Sequence, residues 1–194
     1  LGCEDNELTS IDVSNNTALI YFICGDNQIA SLDVSQNTAL TYLGCHANLL
    51  TELDISNNSA LTVLSFGENQ ITAIDVSHLS GLTKFWCYSN ALTCFNLKNG
   101  SNVNLSSFDA IDNPDLTCIE VDNPTWAEAN WTYQNLNVDA GVTYSTNCDY
   151  SAGCFANSGG GGGGEDSSGE DSTGGGGSSG GDGGSGGGSH DGDG

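Results

Sequence analysis

Residues 40–53 read LTYLGCHANLLTEL, and within them Leu40, Leu43, Cys45, Asn48 and Leu50 fill a pattern, Leu-x-x-Leu-x-Cys-x-x-Asn-x-Leu, that returns every 21 residues. One period earlier the same slots hold Leu19, Phe22, Cys24, Asn27 and Ile29. One period later they hold Leu61, Leu64, Phe66, Asn69 and Ile71, and after that Leu82, Phe85, Cys87, Asn90 and Leu92. An asparagine column at Asn6, Asn27, Asn48, Asn69 and Asn90 keeps the same spacing. Such regularity marks a repeat architecture, in which each period is one coil that buries its apolar side only against its neighbours.

Both halves of the period alternate as strands do, since successive side chains of a strand point to opposite faces. In the first half Leu43 and Cys45 point inward while Tyr42, Gly44 and His46 point outward. In the second half, TELDIS at 51–56, Leu53 and Ile55 point in and Glu52, Asp54 and Ser56 point out. A second asparagine column, Asn16, Asn37 and Asn58, follows this half and is broken by Leu79. Each half is too short for an ordinary helix and ends in an asparagine-bearing turn. The expected fold is therefore a mainly β repeat solenoid with parallel strands on both sides of each coil. An inward amide both donates and accepts, so it can satisfy the turn backbone that no ladder reaches.

These slots resemble the Leu-x-x-Leu-x-Leu-x-x-Asn-x-Leu motif of leucine-rich repeat proteins. The 21-residue period with its Leu-Asp-Val-Ser second half looks like the subclass common in secreted and surface proteins of gliding and related Bacteroidetes-type bacteria. The resemblance runs from residue 1 to about 150. It implies a leucine-rich repeat fold, a secreted or cell-surface location, and binding of partners through the residues that decorate the scaffold, usually on the concave first-half sheet. A fold of this kind carries no particular function by itself.

The period slips after Leu97, where LKNGSNVN inserts a turn-rich segment, and a last coil follows at Leu105, Phe108, Ala110 and Asn113. Beyond it Trp126, Trp131, Tyr133 and Tyr144 replace the repeat. The open end of a solenoid needs covering, and an aromatic segment suits that task. NPDLTCIEVDNPTWAEANW also resembles the terminal cap of secreted leucine-rich repeat proteins. The expected organisation is a solenoid over 1–117, a cap over 118–156 and a Gly/Ser/Asp-rich disordered linker over 157–194. Residues 158–194 hold 20 of the 28 glycines and nothing apolar, too little to offset the entropy of ordering. In the resembling family such a linker leads to a sorting or anchoring domain. Because Leu1 lies inside a repeat, upstream sequence with a signal is also expected.

Of the eight cysteines, Cys3, Cys24, Cys45 and Cys87 recur in one inward slot and read as small buried hydrophobes. The remaining four admit two pairings. Cys118 with Cys148 would staple the cap. Alternatively Cys94 and Cys118, in one outward column of adjacent coils, would pair and leave Cys148 to Cys154. The cap of the resembling family implies the first, and either one implies an oxidising compartment.

Lys84 and Lys98 are the only basic residues besides three histidines, and the formal net charge is −23. Phosphate recognition depends on clustered Lys and Arg, so nucleic acid and anionic membrane surfaces are not expected partners. No apolar run is long enough to span a bilayer, so membrane insertion is not expected either. Extracellular protein or glycan remains. The outward first-half positions Tyr21, Tyr42, His46, Lys84, Trp86 and Tyr88 form the candidate ligand-binding set, because exposed aromatics on neighbouring strands are unusual for a merely solvated face.

The column Asp12, Asp33, Asp54 and Asp75 is expected to be a solvated ladder, with Ca2+ as an alternative occupant; calcium prefers oxygens converging on a point to oxygens in a line. No other cofactor and no metal cluster is expected, the Cys-x-x-Cys spacing of zinc sites being absent. His46, His78 and His190 are isolated and no nucleophile has a base at usable spacing, so an enzyme is not expected. The expected function is a secreted or cell-surface adhesion module binding protein or glycan. Its alternative is a passive structural spacer or filament subunit of an extracellular assembly. Ice binding through Thr9, Thr51, Thr72 and Thr93 is a third reading.

Overall fold

The computed structural model describes residues 1–150 together with 154 and 155, all in one compact unit. The linker expected over 157–194, and residues 151–153 and 156 of the expected cap, lie outside the described residues. Short strands recur once or twice per coil: β1 (Tyr21–Ile23), β2 (Tyr42–Gly44), β3 (Val63–Ser65), β4 (Ala73–Asp75), β5 (Lys84–Trp86), β6 (Cys94–Asn96), β7 (Ser107–Asp109), β8 (Cys118–Glu120) and β9 (Thr143–Ser145). They form two parallel sheets, in the orders β1-β2-β3-β5-β7 and β4-β6-β8-β9. The expected flattened coil, with parallel strands on both sides from Ala73 onward, is thus the observed one, a leucine-rich repeat solenoid.

Between the sheets lies one continuous core. Phe22, Leu43, Leu64, Phe85 and Phe108 stack in register through the middle of the first sheet, and Cys24, Cys45, Phe66, Cys87 and Ala110 form the next inward column. Burial of each large side chain stabilises the coil by roughly 1.5–3 kcal/mol, so the 21-residue spacing is enforced wherever these columns must align. Burial pushes the Cys24 thiol up to about 12 and the Cys45 and Cys87 thiols well above their ordinary value, with neighbouring thiol and carboxylate charge adding to it. These cysteines are packing groups without thiolate character.

The asparagine column closes every first-half turn in the same way. Asn48 Nδ2 is shared among the carbonyls of Cys24, Cys45 and His46 at 2.9, 3.2 and 3.1 Å, while its Oδ1 accepts the N–H of Ile29 at 2.9 Å. Asn27, Asn69, Asn90 and Asn113 repeat the arrangement one coil at a time. The residue before each asparagine adopts a left-handed conformation, at Asp5, Asp26, Ala47, Glu68, Ser89 and Asp112, with φ between 49° and 59°. This turns the chain sharply enough for the amide to point inward.

The second side differs from the first. Strands appear there only from Ala73 onward; in earlier coils the amides of Asn37 and Asn58 bridge to the coil before, at Val13 and Asn16 and at Val34 and Asn37. Where Leu79 interrupts this column, His78 Nε2 meets the carbonyl of Ile55 at 3.0 Å. By the 24-residue offset of Asn58 to Val34, Ile55 is the carbonyl an asparagine at 79 would have reached. The imidazole next door supplies the missing bond.

The 98–104 insertion lengthens the step from β5 to β7 to 23 residues and is stitched into place by polar side chains. Asp122 accepts the N–H groups of Gly100 and Asn102, and Asn102 Nδ2 donates to the carbonyl of Leu97 at 2.6 Å. The helix α1 (Pro124–Asn130) then opens on Asn123, whose side chain accepts the N–H of Trp126, and Pro124 sits where its missing N–H costs nothing. Trp131 lies against Phe108 at 4.4 Å between ring centroids and edge-on to Trp126 at 5.1 Å.

Candidate functional site

The outward side of the first sheet is a grid set by strand register. One column runs Tyr21, Tyr42, Val63, Lys84, Ser107, and the next runs Ile23, Gly44, Ser65, Trp86, Asp109. Just past the strands a third column, Gly25, His46, Gly67 and Tyr88, keeps the repeat spacing. The six residues singled out in the sequence therefore share one face. They are not one continuous patch: Tyr21 belongs to the second coil, Tyr42 and His46 to the third, and Lys84, Trp86 and Tyr88 to the fifth, with Val63 and Ser65 between them.

Each ring has a specific support. Tyr21 and Tyr42 stack at 4.2 Å with 29° between planes, and Tyr21 remains 48% exposed. Burial first, then the neighbouring Tyr21, raises the Tyr42 hydroxyl. The Trp86 indole N–H donates to Ser107 Oγ at 2.9 Å. His46 and Tyr88 lean back over the preceding coil onto glycine: a Cβ at Gly25 would stand 2.4 Å from the imidazole, and one at Gly67 would stand 2.6 Å from the phenol ring. A side chain at either position would have to displace the ring lying above it. The alternation Gly25, His46, Gly67, Tyr88 is the signal in the sequence that would have revealed this seating.

Charge is distributed unevenly across the grid. On the turn side stand Asp26, Glu68, Asp109 and Asp112. Burial, then the negative charge of Glu68 and Asp109, with Asp26 behind them, raises the Tyr88 hydroxyl. Burial is also the main cause that raises the Asp109 carboxyl, opposed by the Ile111 N–H it accepts and reinforced by Asp112. His46 Nε2 lies 3.2 Å from Asp26. None of these carboxylates was among the residues picked from the sequence, because acidic residues are spread through the whole chain.

On the second side of the coils the aspartate column has a backbone task. Oδ1 of Asp12, Asp33, Asp54 and Asp75 accepts the N–H of Ser14, Ser35, Ser56 and Ser77 at 2.8–2.9 Å, and Asn96 does the same for Lys98 at 3.1 Å. The hydrogen bonds from Ser14 and Ser35 lower the carboxyls of Asp12 and Asp33. The Thr93 hydroxyl donates to the carbonyl of Thr72 at 3.3 Å.

The cysteines settle the pairing. Cys118 bonds to Cys148, with Cα atoms 6.0 Å apart, and Cys94 bonds to Cys154 at 5.7 Å. The alternative Cys94–Cys118 bond is not the one formed, although the two columns do adjoin through Asn96 and Glu120. The reason is the segment after β9, which returns across the second sheet and offers each of them a partner. Tyr150 comes with it: its hydroxyl accepts the Phe95 N–H at 3.2 Å and lies 2.6 Å from the Phe95 carbonyl and 3.2 Å from that of Cys118.

A parallel, asparagine-stapled coil with a strand on each side defines a leucine-rich repeat solenoid, and solved structures bear this out. The fold is similar to the functional domain of InlJ from Listeria monocytogenes, which includes a cysteine ladder: 33% identity, TM-score 0.53, over 61% of this chain and 28% of that one. It is also similar to an internalin, InlF, of Listeria monocytogenes strain 4b F2365, at 22% identity and TM-score 0.50 over 63% of this chain and 40% of that one. The chain thus spans well under half the length of either. No family model matches the sequence, and no curated protein matches it. Among the described residues no helix is long and apolar enough to cross a membrane.

Proposed function

We propose that this chain is a secreted or surface-displayed binding module, of the bacterial subclass that its 21-residue period resembles, and that it recognises an extracellular protein through the outward face of the first sheet. The observation carrying this reading is the seating of the rings. Gly25 and Gly67 clear space for His46 and Tyr88, so the sequence gives up two side chains to hold rings on a face where polar residues would be well solvated. Similarity to the internalin structures and two disulfides, which persist in oxidising compartments, support the same reading.

The competing reading is a passive spacer or filament subunit, favoured by the way Tyr21 stacks on Tyr42 and Trp86 bonds to Ser107, contacts that rigidify the solenoid without a ligand. Affinity capture from an extracellular protein fraction, run beside a glycan array, separates the two when wild type is compared with Trp86→Ala and Tyr88→Ala. A ligand kept by wild type and lost by both variants supports recognition by this face. Equal retention, or no ligand for any of the three, supports the spacer. A glycan retained in place of protein would reassign the ligand class and leave the face in place.

A further inference from the structure

We propose that the Tyr88 end of the strand face is a docking seat for a basic, extended segment of the partner protein, with a lysine or arginine side chain lying over the Tyr88 ring. The inference rests on the strand-face reading above and adds the chemistry of the partner.

Three observations point the same way. First, the Tyr88 ring lies over Gly67, so close that a Cβ there would stand 2.6 Å from it, and it stays partly exposed. A ring with an open side attracts a cation through its quadrupole. Second, the carboxylates of Glu68, Asp109 and Asp26 all act on the Tyr88 hydroxyl, and Asp112 acts on Asp109. Among the described residues the His46 imidazole is the one basic side chain within 4 Å of a carboxylate in this group, at Asp26, and neither lysine pairs with Glu68, Asp109 or Asp112. Asp112 Oδ2 lies 3.4 Å from the Ser89 hydroxyl, and Asp109 Oδ1 accepts the Ile111 N–H at 3.1 Å.

Third, the two lysines are placed elsewhere. Lys98 reaches the carbonyl of Thr146 on the other sheet, and Lys84 stands in the outermost column, in register with Val63 and Ser107. The face is therefore polarised, with Lys84 at one side and the carboxylates around Tyr88 at the other. That arrangement steers a basic group to the turn side and repels it from the strand start. A net charge of −23 with no arginine gives the long-range attraction, and the seated ring gives the place. A neutral sugar would use the ring but would leave the polarity of the face without a role.

The test uses the full chain and a short oligo-lysine peptide, with binding followed by fluorescence anisotropy and the contact mapped by zero-length carbodiimide cross-linking of lysine amines to carboxylates. Glu68→Gln with Asp109→Asn removes two charges beside the ring, while Asp109→Asn keeps the Oδ1 that accepts from Ile111. The control, Asp33→Asn with Asp54→Asn, removes the same charge from the second side of the coils and likewise keeps each Oδ1. The expected result is about a tenfold loss for the Glu68/Asp109 pair and for Tyr88→Leu, about twofold or less for the control, and cross-links concentrated on Glu68, Asp109 and Asp112.

Equal losses in the two charge-removal variants, or cross-links scattered over all acidic residues, would mean unspecific attraction to a polyanion and would overturn the proposal. The charge variants remain decisive if Tyr88→Leu fails to fold. A natural ligand that depends on Trp86 but binds independently of salt would overturn this inference alone and leave the strand-face function standing.

Discussion

At the residue scale, every first-half turn rests on a left-handed residue followed by an inward asparagine, and the two make opposite demands on sequence. The asparagine was legible because only an amide can donate to three carbonyls and accept an N–H from one slot, so its identity recurs at fixed spacing. Replacing Asn48 with leucine would leave those groups buried and unpaired. We expect a loss of roughly 3–5 kcal/mol in urea unfolding, against less than about 1 for Asn6→Ala on the exposed first coil. The left-handed residue was not legible, since Asp, Asp, Ala, Glu, Ser and Asp occupy it, so that no single type marks the slot. Ala47 holds φ at 49° with no side-chain group to bond locally, which costs about 1–2 kcal/mol relative to glycine before glycine's greater unfolded-state entropy is counted. Ala47→Gly should therefore stabilise by roughly 0.5–1 kcal/mol, whereas a β-branched Ala47→Val should destabilise by more than that; thermal melts of the two variants read the difference directly.

At the element scale, the period-2 alternation predicted both sheets, but three things escaped it. The second sheet acquires strands only from β4 onward, because in the earlier coils side-chain amides take the place of a backbone ladder. His78 read as an isolated histidine, although its position beside the gap at Leu79 gives it the carbonyl of Ile55. The carboxylates around Tyr88 were hidden by composition, since in a chain this acidic only the fold distinguishes them from the solvated ladder. That ladder has a testable pH signature. Asp12 and Asp33 have folded-state values below 3.8, so the stability they supply is present above that value and is lost as pH falls through their lowered values. Asp109, raised mainly by burial, works in the opposite sense: its contribution is present at pH below its ordinary value and is lost as pH rises through the raised one. Melting temperatures taken from about pH 2.5 to 6 should fall less steeply at the acid end in Asp12→Asn with Asp33→Asn than in wild type. In Asp109→Asn the decline on the rising side should flatten. Identical profiles for all three proteins would remove these carboxyls from the account.

At the scale of the whole molecule, the solenoid must end without leaving its last coil unpaired, and the chain does this with polar groups as well as apolar cover. Asp139 accepts the N–H groups of both Asp112 and Asn113, at 3.2 and 2.6 Å, where the carbonyls of a further coil would stand, and the Ala110 N–H goes to the carbonyl of Asn137. Trp131 and Tyr144 cover the apolar part, with the Tyr144 hydroxyl donating to the Trp131 carbonyl at 2.7 Å. The two disulfides hold this closure in a nested arrangement, since the Cys118–Cys148 loop, with a separation of 30, lies inside the Cys94–Cys154 loop, with a separation of 60. Taken alone they would stabilise by about 3.5 and about 4 kcal/mol through the entropy of the unfolded chain. Nesting changes the second figure: once the inner bond is formed, the outer one closes a loop of only about 30 residues and contributes about 3.5. Cys118→Ser with Cys148→Ser should thus cost roughly 3 kcal/mol, because the outer bond then closes the longer loop and recovers a few tenths. Cys94→Ser with Cys154→Ser should cost about 3.5 through the chain alone, and more if Tyr150 loses its place between Phe95 and Cys118. Urea unfolding of the two double variants measures both quantities, and adding Tyr150→Phe to each locates the hydroxyl's share. A Cys94/Cys154 variant in which Tyr150→Phe still costs as much as in wild type would show that Tyr150 is held by the sheet itself; a vanished cost would show that the outer disulfide holds it there.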